Sequence, residues 1–144
     1  MPFFTYISSI LFIFILAGCN DKKSDNLNIH WDRDMCSRCV MVVSDRHNTV
    51  QVINAKTGKK NVFDDIGCMV IWSKSNNLNI KDKIWVNDVI SGEWIDAKSA
   101  FYSAGNITPM GYGFSAHKLK SDIAKGEEIL DYEEVVKRIL KKKM

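Results

Sequence analysis

The chain has 144 residues, 46% of them hydrophobic, and a formal charge of +3, a size that suits one ordinary domain. Five of the positive charges, Lys137, Arg138, Lys141, Lys142 and Lys143, crowd the C-terminus, and the other 15 Lys and Arg fall short of the 17 Asp and Glu. No aromatic residues interleave with that basic tail, so it excludes a nucleic-acid face and reads as a solvated helix end that suits the helix dipole.

Residues 3–17 are almost uncharged and apolar, ending in Leu16-Ala17-Gly18-Cys19. The run is shorter than the roughly 20 residues that a membrane-spanning helix needs, and it reads as a secretory signal covering residues 1–18. Its end resembles the lipobox cut by the lipoprotein signal peptidase, which would leave a lipidated Cys19 as the first mature residue. The absence of Lys or Arg before Phe3 departs from the usual start of such a signal. Acyl chains would hold the protein at a membrane surface, with residues 19–29 as a polar tether and residues 30–144 as the domain.

Next comes Met35-Cys36-Ser37-Arg38-Cys39-Val40-Met41, four sulfur atoms in seven residues of a chain with four cysteines and six methionines. Thr49 to Ile53 then alternates β-branched and polar residues, Lys56-Thr57-Gly58-Lys59 supplies a turn, and Asn61-Val62-Phe63 resumes an extended pattern, which together predict a hairpin. Asp64 is placed to cap a short amphipathic helix built on Ile66, Met69, Val70 and Trp72 and closing near Ser75-Asn76-Asn77. Ile84 to Ile90 predicts the next strand, with a Ser91-Gly92 turn into Trp94-Ile95. Ala97 to Ala104 fits a short helix or an extended segment equally well. Gly113 to Leu119 predicts a strand and Ile129-Leu130 a short one. Asp131 with Glu134 forms a capping pair for a final helix whose apolar stripe is Tyr132, Val135, Val136, Ile139 and Leu140. The elements make an α+β fold of mostly antiparallel strands. Two halves, about 30–90 and 91–144, share a loose order that would place Met41 and Met110 in equivalent loops.

Thiolates and thioethers are soft ligands, and adding methionine to cysteine tilts the choice of ion towards Cu(I). If Cys39 to Met41 runs extended, alternation puts both sulfurs on one face, about 7 Å apart, with Cys36 as an optional third ligand. Met110, in the turn-rich Thr108-Pro109-Met110-Gly111-Tyr112-Gly113, is the candidate second thioether. Arg38 stands beside Cys39, where it would depress the thiol's pKa. His117, seven residues beyond Met110, is a further candidate, and His30 and His47 flank the cysteine loop. Met69 and Cys68 read as core, and Asp64 and Asp65 as helix N-terminus residues.

Three separated stretches resemble the NosL family, periplasmic lipoproteins that serve as copper chaperones for nitrous oxide reductase: Cys36 to Met41, then Phe63-Asp64-Asp65-Ile66-Gly67-Cys68-Met69, then Val89 to Ile95 through Ala97 to Pro109-Met110-Gly111-Tyr112-Gly113. The resemblance implies Cu(I) held by Cys39, Met41 and Met110, two ββα-type halves similar to the organomercurial lyase fold, and a membrane-anchored carrier facing the periplasm. Its partners would be nitrous oxide reductase or that enzyme's assembly machinery, and it would have no turnover of its own. Val40 stands where the family usually has glycine, and a β-branched residue there favours extended backbone. Two other readings fit the same cysteines. One is a thiol redox protein using Cys36 and Cys39, although no helical stripe follows the motif. The other is a structural zinc site of Cys36, Cys39, Cys68 and a histidine. A disulfide from Cys36 to Cys39 or to Cys68 is the further alternative that an oxidising compartment allows, against which the odd set of Cys36, Cys39 and Cys68 points to a thiol kept for reactivity or ligation.

Overall fold

The computed structural model describes residues 28–79 and 81–142, so the signal segment, Cys19 and most of the tether lie outside the described residues. The alternating stretch forms β1 (Val50–Ile53), and the chain returns antiparallel as β2 (Lys60–Phe63), with Val50 opposite Phe63. Asn54 organises the turn: its Oδ1 accepts the N–H groups of Lys56 and Thr57 at 3.1 and 2.9 Å, and Gly58 takes the positive φ of +68° that closes it.

Helix α1 (Ile66–Asn76) follows, ending at Asn77 in the left-handed conformation, and then β3 (Lys83–Asn87) pairs on the free side of β1. The expected strand to Ile90 stops at Asn87 because Asp88 turns the chain. Its Oδ2 accepts the N–H and Oγ–H of Ser91 at 2.8 and 2.6 Å, and its carbonyl accepts from Gly92 N at 2.8 Å. Strand β4 (Trp94–Asp96) completes an antiparallel sheet of order β2-β1-β3-β4.

The undecided stretch after Ala97 resolves as a turn followed by β5 (Phe101–Ala104), which forms a second, two-stranded sheet with β6 (Phe114–His117). A parallel bridge between Asp88 and Ala116 joins the sheets, with Val89 N donating to the Ala116 carbonyl at 2.8 Å. The expected Ile129-Leu130 strand reduces to one bridge from Leu130 to Tyr102 of β5. The strand before the second helix therefore pairs with β5, whereas β2 pairs with its immediate predecessor β1. Met41 precedes β1 and Met110 precedes β6, so the two halves share an order of elements and differ in how their strands pair.

Helix α2 (Tyr132–Lys142) forms as its stripe predicts: Asp131 Oδ1 accepts from Glu134 N at 2.8 Å, Val135 and Ile139 are fully buried, and Tyr132, Val136 and Leu140 are half-buried. Each of those two buried side chains contributes about 1.5–3 kcal/mol of apolar burial. Helix α1 is different, because Ile66, Gly67, Cys68, Met69 and Val70 are buried in succession. Its first turn is enclosed on every side and has no polar face, contrary to the amphipathic expectation. Val50, Val52, Phe63, Ile84 and Val86 of the sheet pack with Met69 and Val70 of α1 and with Tyr102, Val135 and Ile139 in one core.

The tightest of these contacts lies at Gly67, where a Cβ would fall 2.0 Å from Tyr112 Cγ. Gly67→Ala is expected to destabilise the protein by about 1–3 kcal/mol in urea unfolding. Combining it with Tyr112→Ala should make the two costs clearly non-additive, because the clash then has no partner.

Candidate metal centre

The sulfur stretch is a closed hairpin. Met35 bridges Val42, Cys36 N donates to the Met41 carbonyl at 2.8 Å, and Val40 N donates to the Cys36 carbonyl at 3.0 Å. It is fastened to the edge strand by Ser37 N donating to the Val62 carbonyl at 2.7 Å and by Asn61 Nδ2 donating to Ser37 Oγ at 3.1 Å. Closing so short a loop puts Val40 at φ +62°, in the left-handed region, where a β-branched residue costs about 1–2 kcal/mol. The extended run expected for Cys39 to Met41 does not form, and the two sulfurs are not set by strand alternation. Cys39 turns inward to Asp64 while Met41 stays 52% exposed.

The other wall is the start of α1. Asp65, not Asp64, is its N-cap: the backbone there is extended at φ −153° and ψ 142°, and Oδ1 accepts from Gly67 N at 2.9 Å. The second oxygen of Asp65 reaches the other loop, accepting Thr108 Oγ1–H at 2.7 Å and Met110 N–H at 3.2 Å. Thr108 Oγ1 in turn accepts from Gly113 N at 3.0 Å. One buried carboxylate thus ties the Met110 segment to the helix turn that presents Cys68.

With Asp65 committed to capping, Asp64 is left to face the cysteines. The ligand atoms of Cys36, Cys39, Asp64 and Cys68 all lie within 4.8 Å of one another. Cys36 and Cys68 are buried and Cys39 is half-buried, and all three thiols are free. Cys39 Sγ donates to the Asp64 carboxylate at 3.6 and 3.7 Å. Cys68, read from sequence as core, and Asp64, read as a cap, are therefore members of the cluster. Cys68 occupies the third position of α1, where the positive end of the helix dipole favours a thiolate.

Charge in this pocket is crowded. The Cys68 side chain pulls the Cys36 thiol down to about 4 against the cost of burial, and Cys68 is pushed up in return. Burial, reinforced by Cys36, raises Asp64 to about 6. Burial also raises Cys39, and the neighbouring Arg38 does not bring it below its ordinary value. The guanidinium reaches instead to Cys68, with Nη1 3.8 Å from Sγ.

The candidate histidines are not part of this cluster, which contains no histidine among the described residues. His117 is buried on β6 with Nε2 2.9 Å from Ser103 Oγ, His30 lies beside Asp34 at 3.5 Å, and His47 Nδ1 is 2.9 Å from the Val89 carbonyl. Met110 is half-buried against the core. With Asp65 as the cap, Asp64 falls one residue before it and Cys68 in the first turn, so the spacing Asp64-x3-Cys68 sets both at the start of one helix.

Fold and site together define a small α+β protein with a thiol-rich centre between a hairpin loop and a helix N-terminus. Among solved structures the chain is similar to the copper chaperone NosL from Shewanella denitrificans, with a TM-score of 0.64 and 13% identity over 76% of this chain and 95% of that one. The two share a fold. No family model and no curated protein matches the chain.

Asp65→Ala is expected to cost about 2–4 kcal/mol in urea unfolding, since it removes a cap and strands the Thr108 hydroxyl in the interior. Asp65→Asn, which still caps, should lose clearly less. Asp64 sets a pH dependence of opposite origin. Its folded-state pKa is raised from 3.8 to about 6, so its contribution to the metal-free fold is complete below pH 3.8 and is lost as pH rises through 6. Metal-free wild type should therefore lose stability relative to Asp64→Asn between pH 4 and 7, as read from paired urea titrations.

Proposed function

We propose that the protein is a Cu(I) carrier, a metallochaperone without turnover of its own. The observation that carries the reading is the convergence of three thiols and a carboxylate within 4.8 Å on a shared helix turn and hairpin. Soft sulfur donors favour Cu(I), and the fold shared with a copper chaperone supports cargo over a resident cofactor. Cys39, half-buried beside the exposed Met41, is the point of exchange, where an incoming ligand can replace one of this protein's own. Met41 and Met110 are proposed as thioethers that complete the coordination of the ion during transfer.

The finer reading follows the sequence. Cys19 would carry the lipid, the domain would face the periplasm, and the recipient would be nitrous oxide reductase or its assembly machinery. A second reading is favoured by Asp64 alone: three cysteines and one oxygen donor also make a closed tetrahedral set for structural zinc.

Anaerobic Cu(I) titration against a competing chelator separates the two. Cys39→Ala should abolish competitive Cu(I) binding, and Met41→Ala and Met110→Ala should each weaken it by about tenfold, or 1.4 kcal/mol. Zinc that binds more tightly than the chelator allows, with no response to either methionine, would replace the copper reading.

A further inference from the structure

We propose that the same centre reduces Cu(II) as it loads, with the buried pair Cys36 and Cys68 supplying the electrons and closing into a disulfide while Cys39 keeps the reduced ion. The inference rests on the copper reading of the site. It begins from a count: three free thiols converge with one carboxylate, more donors than a two- or three-coordinate Cu(I) ion uses. Three thiols divide into one dithiol and one remaining ligand, and burial makes that division. Cys36 and Cys68 are 1% and 0% exposed, whereas Cys39 is half-buried, two residues before the exposed Met41.

Asp64 supplies the second observation. A hard carboxylate oxygen adds little to a Cu(I) site but suits the harder Cu(II) ion. Asp64 is itself buried but stands 3.6 Å from the half-buried Cys39 sulfur, so oxygen and sulfur together make a mixed pair on the Cys39 side of the cluster. The reducing pair waits behind it. Cys36 comes from the hairpin and Cys68 from α1, and their sulfurs lie within 4.8 Å, a gap that side-chain rotation must close to a bond of about 2.05 Å.

The step balances as two Cu(II) ions and two thiols giving two Cu(I) ions, one Cys36–Cys68 disulfide and two protons released to solvent. Each copper gains one electron, both S–H bonds break, and one S–S bond forms. One Cu(I) stays on Cys39 and the second leaves to an acceptor. A dithiol reductant would restore the pair for another cycle.

The test uses the full chain, metal-free and fully reduced, in detergent under anaerobic conditions. Two equivalents of cupric sulfate are added. The expected result is loss of the Cu(II) electron paramagnetic resonance signal, two Cu(I) per chain captured by a chromogenic chelator, and a Cys36–Cys68 cross-linked peptide in the mass map with Cys39 still alkylatable. Cys36→Ser and Cys68→Ser should each slow the reduction by at least tenfold. A persistent Cu(II) signal in wild type, a disulfide that includes Cys39, or undiminished reduction in both serine variants would overturn the proposal. Direct addition of Cu(I) to wild type keeps the two readings apart. Tight Cu(I) binding without Cu(II) reduction removes only this inference, and failure to bind Cu(I) removes the carrier reading along with it.

Discussion

The buried carboxylate of Asp65 is the constraint on which the centre depends. It accepts from Gly67 N with one oxygen and from Thr108 and Met110 with the other. An anion at this point is favoured by the helix dipole, and its bonds to N–H and O–H donors are charge-assisted, each stronger than a neutral pair. Because the cap fixes where α1 begins, it fixes Cys68 three positions on and leaves Asp64 one position back. Because the same oxygen holds the Met110 segment, a loop 45 residues away in sequence is referenced to the first turn of that helix. Tyr112 then lies flat on Gly67, where no other residue would leave room for the ring.

Electrostatics decides what the assembled cluster can be. Two unit charges 4.8 Å apart repel by about 3.5 kcal/mol at an effective dielectric constant of 20. Four such groups cannot all ionise without a cation among them. The protonation pattern follows: Cys36 is pulled down, Cys68 is pushed up, and Asp64 is raised to about 6. Arg38 leans over Cys68 from 3.8 Å and offsets part of the remaining charge. A bound metal ion would take over that task, releasing protons as it enters, so binding and deprotonation are one event.

The sequence was legible where a local rule had no tertiary competitor. Alternation from Thr49 to Ile53, the turn at Lys56 to Lys59 and the capped stripe of α2 all formed as read. At Asp64-Asp65 local chemistry offers two equivalent caps, and the choice falls to Thr108 and Met110, which are far away along the chain. That single-residue difference also hid the cluster, because moving the cap frees Asp64 and brings Cys68 into the first turn. The uniform burial of Ile66 to Val70 had a similar cause: tertiary neighbours enclose the helix start on all sides, and no periodicity records that. Val40 was misjudged because β-branching argues for extended backbone, whereas the loop from Cys36 to Met41 can close its two backbone hydrogen bonds only by turning left-handed.

Val40 also bears on how a metal would move through the site. A strained, exposed residue persists only when its surroundings over-determine it, and here the bonds at Cys36, Met41 and Ser37 do so. The hairpin is thus held in one shape before any ion arrives, and Cys39 needs little reorganisation to bind. Depth orders the sulfurs: Met41 is open to solvent, Cys39 half-buried, and Cys36 and Cys68 enclosed against the core. Under the proposed function, an ion approaching from solvent would reach thioether and outer thiolate first and the enclosed pair last, and an ion leaving would retrace that order. In the proposed carrier, a rigid loop with a graded set of donors would let a partner take cargo from the outermost ligand while the inner ones stay in place, which is the physical difference between a carrier and a closed structural site.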